Sequence, residues 1–288
     1  MSGVPVVVAY ALRESLRRRV FLVVLVLTAC FVALYWLGAN QAFDTIEETE
    51  PPPAAVLAGV DDRTLTGATL FGLSMFGTLF LGAVLATFLT LSVVRGDAER
   101  GLLQPLVVRP IGRSALLLGR FLAATAVCSV YVFVVYASNL WITWSAGSWR
   151  PDRIFEPALQ LGGAVAVIAA LSLLGSVFLS STANGIAVFM VFGAGLVAGL
   201  LGQIGEVLES DTLARVAEIS SWALPFEALY QDGLNAITAD ERGFTEFALQ
   251  LGPFGGAQSA GGLLWPWTAA YVLLLGGAAL GAFARKDL

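Results

Sequence analysis

Apolar residues fall into six long blocks along this chain, at roughly 20–38, 69–94, 120–146, 158–180, 184–203 and 263–283. A bilayer core of about 30 Å takes about 20 apolar residues of helix, so each block is long enough to span it. No Asp or Glu lies inside any block, and the one basic residue, Arg120, sits at an edge. Six membrane-spanning helices are predicted. The first block exceeds the ~7–15 residues of a signal-peptide core and reads as a retained span, although "GANQA" after it loosely suggests a cleavage site.

Between the blocks the pattern changes period. In "PVVVAYALRESLRRR" (residues 5–19), Val8, Ala11, Leu12, Ser15 and Leu16 share one helical face, and Arg13, Glu14, Arg17 and Arg18 share the other. This reads as an amphipathic helix in the membrane interface, or as a plain basic anchor before the first span. The segment 204–262 is long for a loop. Phe226, Leu229, Tyr230, Leu234 and Ile237 follow helical spacing after Pro225, and Phe244, Phe247, Ala248 and Leu251 do so again. Short helices lying on, or dipping into, the outer membrane face are expected there, with a surface for an extracytoplasmic partner as the further reading. "EPPPA" in the loop 39–63 reads as a stiff spacer, and the nearby acids Asp44, Glu47, Glu48 and Glu50 as a solvated loop.

Composition agrees with the pattern. Apolar residues make up 57% and charged residues 13%, against about 25% charged in a soluble domain. The predicted fold is a single all-α transmembrane domain over residues 1–288. Charge sets its direction. With the N-terminus inside, the inner segments hold eleven of the sixteen Lys and Arg residues, and the outer segments hold seventeen of the twenty-one acids. Positive charge stays on the cytoplasmic side, so both termini are expected there.

Little catalytic chemistry is available. There is no histidine, hence no Ser-His or Cys-His pair and no His metal site. "GLSM" at Gly72–Met75 resembles the Gly-x-Ser of rhomboid proteases but lacks their histidine partner. Without acids in the spans, proton relays and intramembrane aspartyl proteases are disfavoured. No Gly-x-x-x-x-Gly-Lys-Ser/Thr phosphate loop appears. Cys30 and Cys128 read as buried thiols. Gly195 with Gly199, and Gly277 with Gly281, have the spacing that permits close helix contact. No metal, cofactor or nucleic acid is expected on this chain.

What remains is the charged stretch between the second and third spans, "VVRGDAERGLLQPLVVRPIGRSALLLGRFLA" (Val93–Ala123). "RGDAERGLLQ" can form a short helix with Asp97 and Glu99 at its start, where negative charge is favourable. Pro105 limits its continuation, and Pro110-Ile-Gly112 turns the chain. A short helix held between two spans is a lever; an ordinary polar loop is the plainer reading.

The stretch resembles the first cytoplasmic loop of type 2 ABC exporter permeases. The matching residues are Glu99, Gly101, Leu102 and Leu106, then Pro110 and Arg113, then Leu116 to Arg120. Arg120 stands where Lys is common in that family. The ending "FARKDL" (Phe283–Leu288) is similar to the family's own, so the likeness covers the whole chain. "LPFEALYQDGL" (Leu224–Leu234) resembles, within that family, permeases associated with multi-copper-enzyme maturation and nitrous oxide reductase assembly.

The resemblance implies a permease that moves substrate outward across a bacterial or archaeal plasma membrane. ATP and magnesium would bind separate cytosolic ATPase subunits, and the chain would pair as a homodimer or with a related permease. It also implies ATPase coupling through Asp97, Glu99, Arg100, Gly101, Leu103, Gln104, Arg109, Pro110 and Arg113. Thr87, Thr90, Asn139 and Thr143 are candidates to line the path, or else to satisfy neighbouring helices. The competing function is a non-transporting scaffold that passes ATPase strokes to an outer partner. A transporter should show a polar or adaptable cavity, and a transmitter a closed apolar seam.

Overall fold

A computed structural model of the chain describes residues 4–17, 19–48, 61–91, 113–208, 210–240 and 259–285. Among these the fold is all-α, as the sequence predicts, with nine helices and no strand. They are α1 (Val4–Arg17), α2 (Arg19–Glu48), α3 (Asp62–Thr90), α4 (Arg113–Gly147), α5 (Glu156–Phe178), α6 (Ser181–Val207), α7 (Asp211–Ala223), α8 (Pro225–Asn235) and α9 (Leu264–Ala284). Six of them, α2 to α6 and α9, are long and apolar enough to cross a membrane. Each overlaps one of the six apolar blocks.

Side-chain pairings fix their directions. Thr28 meets Tyr131, Tyr35 meets Thr143 and Phe43 meets Gly147, so α2 and α4 run parallel. Phe71 meets Tyr136 edge to face while Gly82 meets Val132, so α3 runs against α4. Gly82 also meets Val165, and Thr87 meets Ser172, so α5 runs with α3. The end of α3 and the start of α4 therefore lie at one end of the bundle, and α8 lies at the other.

Local sequence sets the helix starts. Asp61 caps α3, accepting from the Arg63 backbone N–H at 3.1 Å and from Thr64 Oγ1 at 2.6 Å. Pro157 stands in the first turn of α5, where its missing N–H costs nothing. Behind it, α5 is apolar all round and becomes the hub, packing against α3, α4, α6, α8 and α9. Leu161, Val165, Ile168 and Val177 are fully or almost fully buried along it. Ser148 closes α4 in the left-handed region (φ 52°) and turns Trp149 back over Gly67, where a Cβ would come within 2.5–2.8 Å of the indole.

The N-terminal helix differs in detail from its sequence reading. Val7, Ala11 and Ser15 are buried, Val8 and Leu12 only partly so. The buried stripe is shifted because α1 packs on α4, with Val7 against the bare Cα of Gly119, rather than resting only on a flat interface. Arg13 is exposed, Arg17 ends the helix, and Arg18 lies outside the described residues. Cys30 is also a correction: it is exposed, since α2 buries only the narrow stripe Val24, Thr28, Tyr35, Ala39 and Phe43. Cys128 is buried as expected.

Candidate functional site

The sequence-predicted coupling residues Asp97, Glu99, Arg100, Gly101, Leu103, Gln104, Arg109 and Pro110 lie outside the described residues; Arg113 opens α4. The second amphipathic run, Phe244 to Leu251, also lies outside them. The first, Phe226 to Ile237, is present. Phe226, Leu229, Tyr230, Leu234 and Ile237 are all buried, and all but the last two residues of the run form α8.

Two of the candidate path residues, Asn139 and Thr143, join an interhelical seam. Thr87, Thr90, Asn139 and Thr143 each show 0% exposure. Asn139 Nδ2 donates to Thr78 Oγ1 of α3 at 3.3 Å. Thr143 Oγ1 donates to the Asn139 carbonyl at 2.8 Å and lies 2.5 Å from the Tyr35 hydroxyl of α2. Thr90 Oγ1 donates to the Ala86 carbonyl at 2.7 Å, the usual settlement for a hydroxyl inside an apolar helix. Farther along, Asn184 Nδ2 of α6 donates to the Ser172 carbonyl of α5 at 2.8 Å. The amide oxygens of Asn139 and Asn184 have no partner, nor has the Thr87 hydroxyl, and Thr87 borders a groove of about 610 Å³ between α3 and α6 whose other walls include Phe88, Ile186 and Met190. Neutral polar side chains of this kind join helices inside one chain, each bond contributing roughly 0.6 kcal/mol.

A second polar set lies around α8, and only the helical run of α8 pointed to it. Asp232 ties three parts together: it accepts from Gln160 Nε2 of α5 and from the Ala260 backbone N–H at 2.9 Å. The tail of α8 is bonded to the α4–α5 connection, Asp152 N–H to the Ile237 carbonyl at 3.0 Å and Asp240 N–H to Asp152 Oδ2 at 2.8 Å. On its other side α8 packs into a stripe of glycines on α6. Phe226 lies over Gly195, and the Glu227 carboxyl lies against Gly199, where any Cβ would collide with Oε1. The Gly195–Gly199 spacing seen in the sequence serves this contact. Gly277 and Gly281 have no neighbour within 4 Å of a would-be Cβ.

Glu227 is the unusual member. It is 4% exposed and its Oε1 has no hydrogen-bond partner. Burial pushes its carboxyl up to about 7, with the Gln231 amide pulling partly the other way. Asp232 is raised as well, chiefly by burial and against the pull of the Ala260 N–H. A cavity of about 190 Å³ opens beside Glu227 between α6, α7, α8 and α9. The signal that marks this site in the sequence is an acid beside an apolar helical face: Glu227 directly follows Phe226 and precedes Leu229 and Tyr230. Among the described residues no group of three or more His, Cys, Asp or Glu side chains is placed to hold a metal.

The chain matches the family model described as ABC-2 family transporter protein over residues 6–288. No curated protein matches it.

Proposed function

Because the chain belongs to the ABC-2 family of transporter proteins, we propose that this multi-pass permease subunit exports its substrate, driven by ATP hydrolysis on separate cytosolic ATPase subunits. The observation that carries the reading is the extent of the family match, which takes in all six apolar helices and the joint between α3 and α4. ABC-2 permeases work with ABC ATPases. The matching loop residues Asp97, Glu99, Arg100, Gly101, Leu103 and Gln104 would dock on the ATPase, with Arg109, Pro110 and Arg113 setting the turn into α4. Arg13, Arg17 and Arg18 would hold α1 at the inner membrane surface.

Two copies, or one copy and a homologue, would complete the transporter in the plasma membrane of a bacterium or archaeon. Residues 204–262 would face outward, where α7, with Val216, Ile219 and Trp222 exposed, would offer a surface to an extracytoplasmic partner. The likeness of Leu224–Leu234 to permeases of copper-enzyme maturation points to such a partner rather than to a copper site in this chain.

One observation favours a second reading. Thr90, Asn139 and Thr143 are closed inside a single protomer, which suits a scaffold that transmits force without passing a substrate. On the export reading the path runs between protomers instead.

Purification of the tagged chain with the ATPase encoded beside it tests the proposal. A dimer of permeases carrying two ATPases, with ATP turnover in nanodiscs, is the expected result. A stable monomer that retains no ATPase contradicts it.

A further inference from the structure

The cavity beside α8 asks for a particular chemistry. Its charged walls are acidic: Glu218 of α7 and Glu227 of α8 line it, and no Lys or Arg does among the described residues. Two acceptor atoms there have no partner, Glu227 Oε1 and Gln231 Oε1. A carboxyl oxygen buried without a partner is costly, and a neighbouring acid and a second orphaned acceptor do not relieve it. A proton on Glu227 relieves part of this; a group with several N–H donors, no acceptor and positive charge relieves both acceptors at once. An ammonium group has three donors and no acceptor.

The aromatic wall agrees. Trp222 of α7 and Trp267 of α9 both line the cavity, set edge to face with centroids 5.6 Å apart and an interplanar angle of 65°. The arrangement is pinned by Trp267 Nε1 donating to the Trp222 carbonyl at 2.9 Å. Indole is the best side-chain partner for an organic cation. An inorganic divalent ion would call for more oxygen ligands than the two acids offer. Gly199 keeps the wall open where a side chain would collide with Glu227. The space, about 190 Å³, equals that of about six waters at ~30 Å³ each. That suits a small headgroup and not a large solute.

We infer that the cavity between α6, α7, α8 and α9 binds an ammonium group, with Glu227 and Gln231 accepting its hydrogen bonds and Trp222 and Trp267 flanking the charge. Two sources carry this chemistry: the ethanolamine headgroup of a phospholipid and a free alkylamine. The site lies at the end of the spans, beside the exposed Trp222 and Trp265, at the level where tryptophans gather in membrane proteins. A headgroup and a dissolved amine both reach that depth. The inference does not depend on the direction of transport or on whether transport occurs.

The test uses the full-length chain in nanodiscs of pure phosphatidylglycerol, which supplies no amine. Ethylammonium is titrated while tryptophan fluorescence is read, with 1-propanol as the neutral match. A saturable response to ethylammonium and none to propanol is expected, with affinity at least about tenfold weaker in Glu227→Gln. Nanodiscs containing phosphatidylethanolamine separate the sources. Loss of the ethylammonium response, with that lipid retained in native mass spectra, assigns the site to the headgroup; an unchanged response assigns it to the solute. Equal responses to ethylammonium and propanol in the wild-type chain overturn the inference, and so does no saturable response together with no retained phosphatidylethanolamine. Those wild-type readings decide even if Glu227→Gln fails to fold; a folded Glu227→Gln with unchanged affinity also overturns it.

Discussion

Asn139 and Glu227 are both buried polar side chains in an apolar bundle, and their surroundings differ. Asn139 is enclosed on all sides and donates to Thr78 of a neighbouring helix. Its neighbours Thr143 and Tyr35 continue the seam across α2, α3 and α4. Glu227 is almost as buried; the Asn139 amide oxygen lacks a partner too, but the orphaned oxygen of Glu227 belongs to an ionisable group and lies beside an open cavity. A neutral polar group in a span is settled cheaply by the next helix or by its own backbone. An acid is not, because two carboxyl oxygens in apolar surroundings require donors or a proton. Burial alone therefore says little about a path or a site; an ionisable group buried beside open space says more.

The largest expected contrast between the two regions is with pH. The Glu227 carboxyl titrates near 7 in the folded chain against an ordinary value near 4.5. Between those values the folded chain holds a proton that the unfolded chain releases, so the folded state is relatively most stable below about 4.5. That stability declines as pH rises through about 7 and is flat above. The full span amounts to at most roughly 3–4 kcal/mol at 1.36 kcal/mol per unit. Asp232, also raised, adds in the same direction. Unfolding in detergent at pH 4.5 and pH 8 should show a smaller difference in Glu227→Gln than in wild type. Identical differences would mean that Glu227 carries none of the pH dependence.

The two regions also differ in how much room they leave for an added methyl group. A Cβ on Gly175 would collide with the Asn184 amide in the closed seam, and a Cβ on Gly199 with the Glu227 carboxyl at the cavity. Asn184 is held by its bond to Ser172 and has nowhere to move, whereas Glu227 can swing into open space. Gly175→Ala should cost about 1–3 kcal/mol, the range for overpacking, and Gly199→Ala clearly less. The reverse order in thermal unfolding would mean that the cavity wall is the stiffer of the two.

The smallest effect belongs to a single seam bond. Tyr35→Phe removes the hydrogen bond with Thr143 while keeping the ring. The expected destabilisation is roughly 0.6 kcal/mol and at most about 1.7. A value well beyond that would mark the seam as a cooperative network.

Much of the architecture is legible because a bilayer-length apolar run has one stable outcome. The blocks around residues 158–180 and 263–283 became α5 and α9 almost at their sequence bounds. The α8 run from Phe226 to Leu234 was legible for a different reason: helical period survives in a segment too short to span. Which polar residues meet was not legible. Gln160 and Asp232 are 72 positions apart, and only the fold brings them together. Thr87 and Thr143 look alike in sequence, yet one borders a groove without a partner and the other closes a seam. The face that α1 buries depended on a neighbour, Gly119 of α4, that periodicity within α1 does not reveal.

On the proposed function, an ATPase works this bundle through the joint between α3 and α4, at the end opposite α8. Charge reversal there, Asp97→Lys with Glu99→Lys, tests it most directly through co-purification of the ATPase and ATP turnover in nanodiscs. Expression and span insertion should hardly change, since added positive charge on an inner loop reinforces the topology. ATPase binding should weaken by roughly 10-fold to 150-fold for each charge-assisted hydrogen bond that the reversal removes, at about 1.5–3 kcal/mol apiece. A double variant that keeps its ATPase and turns over ATP at the wild-type rate would show that the force enters elsewhere.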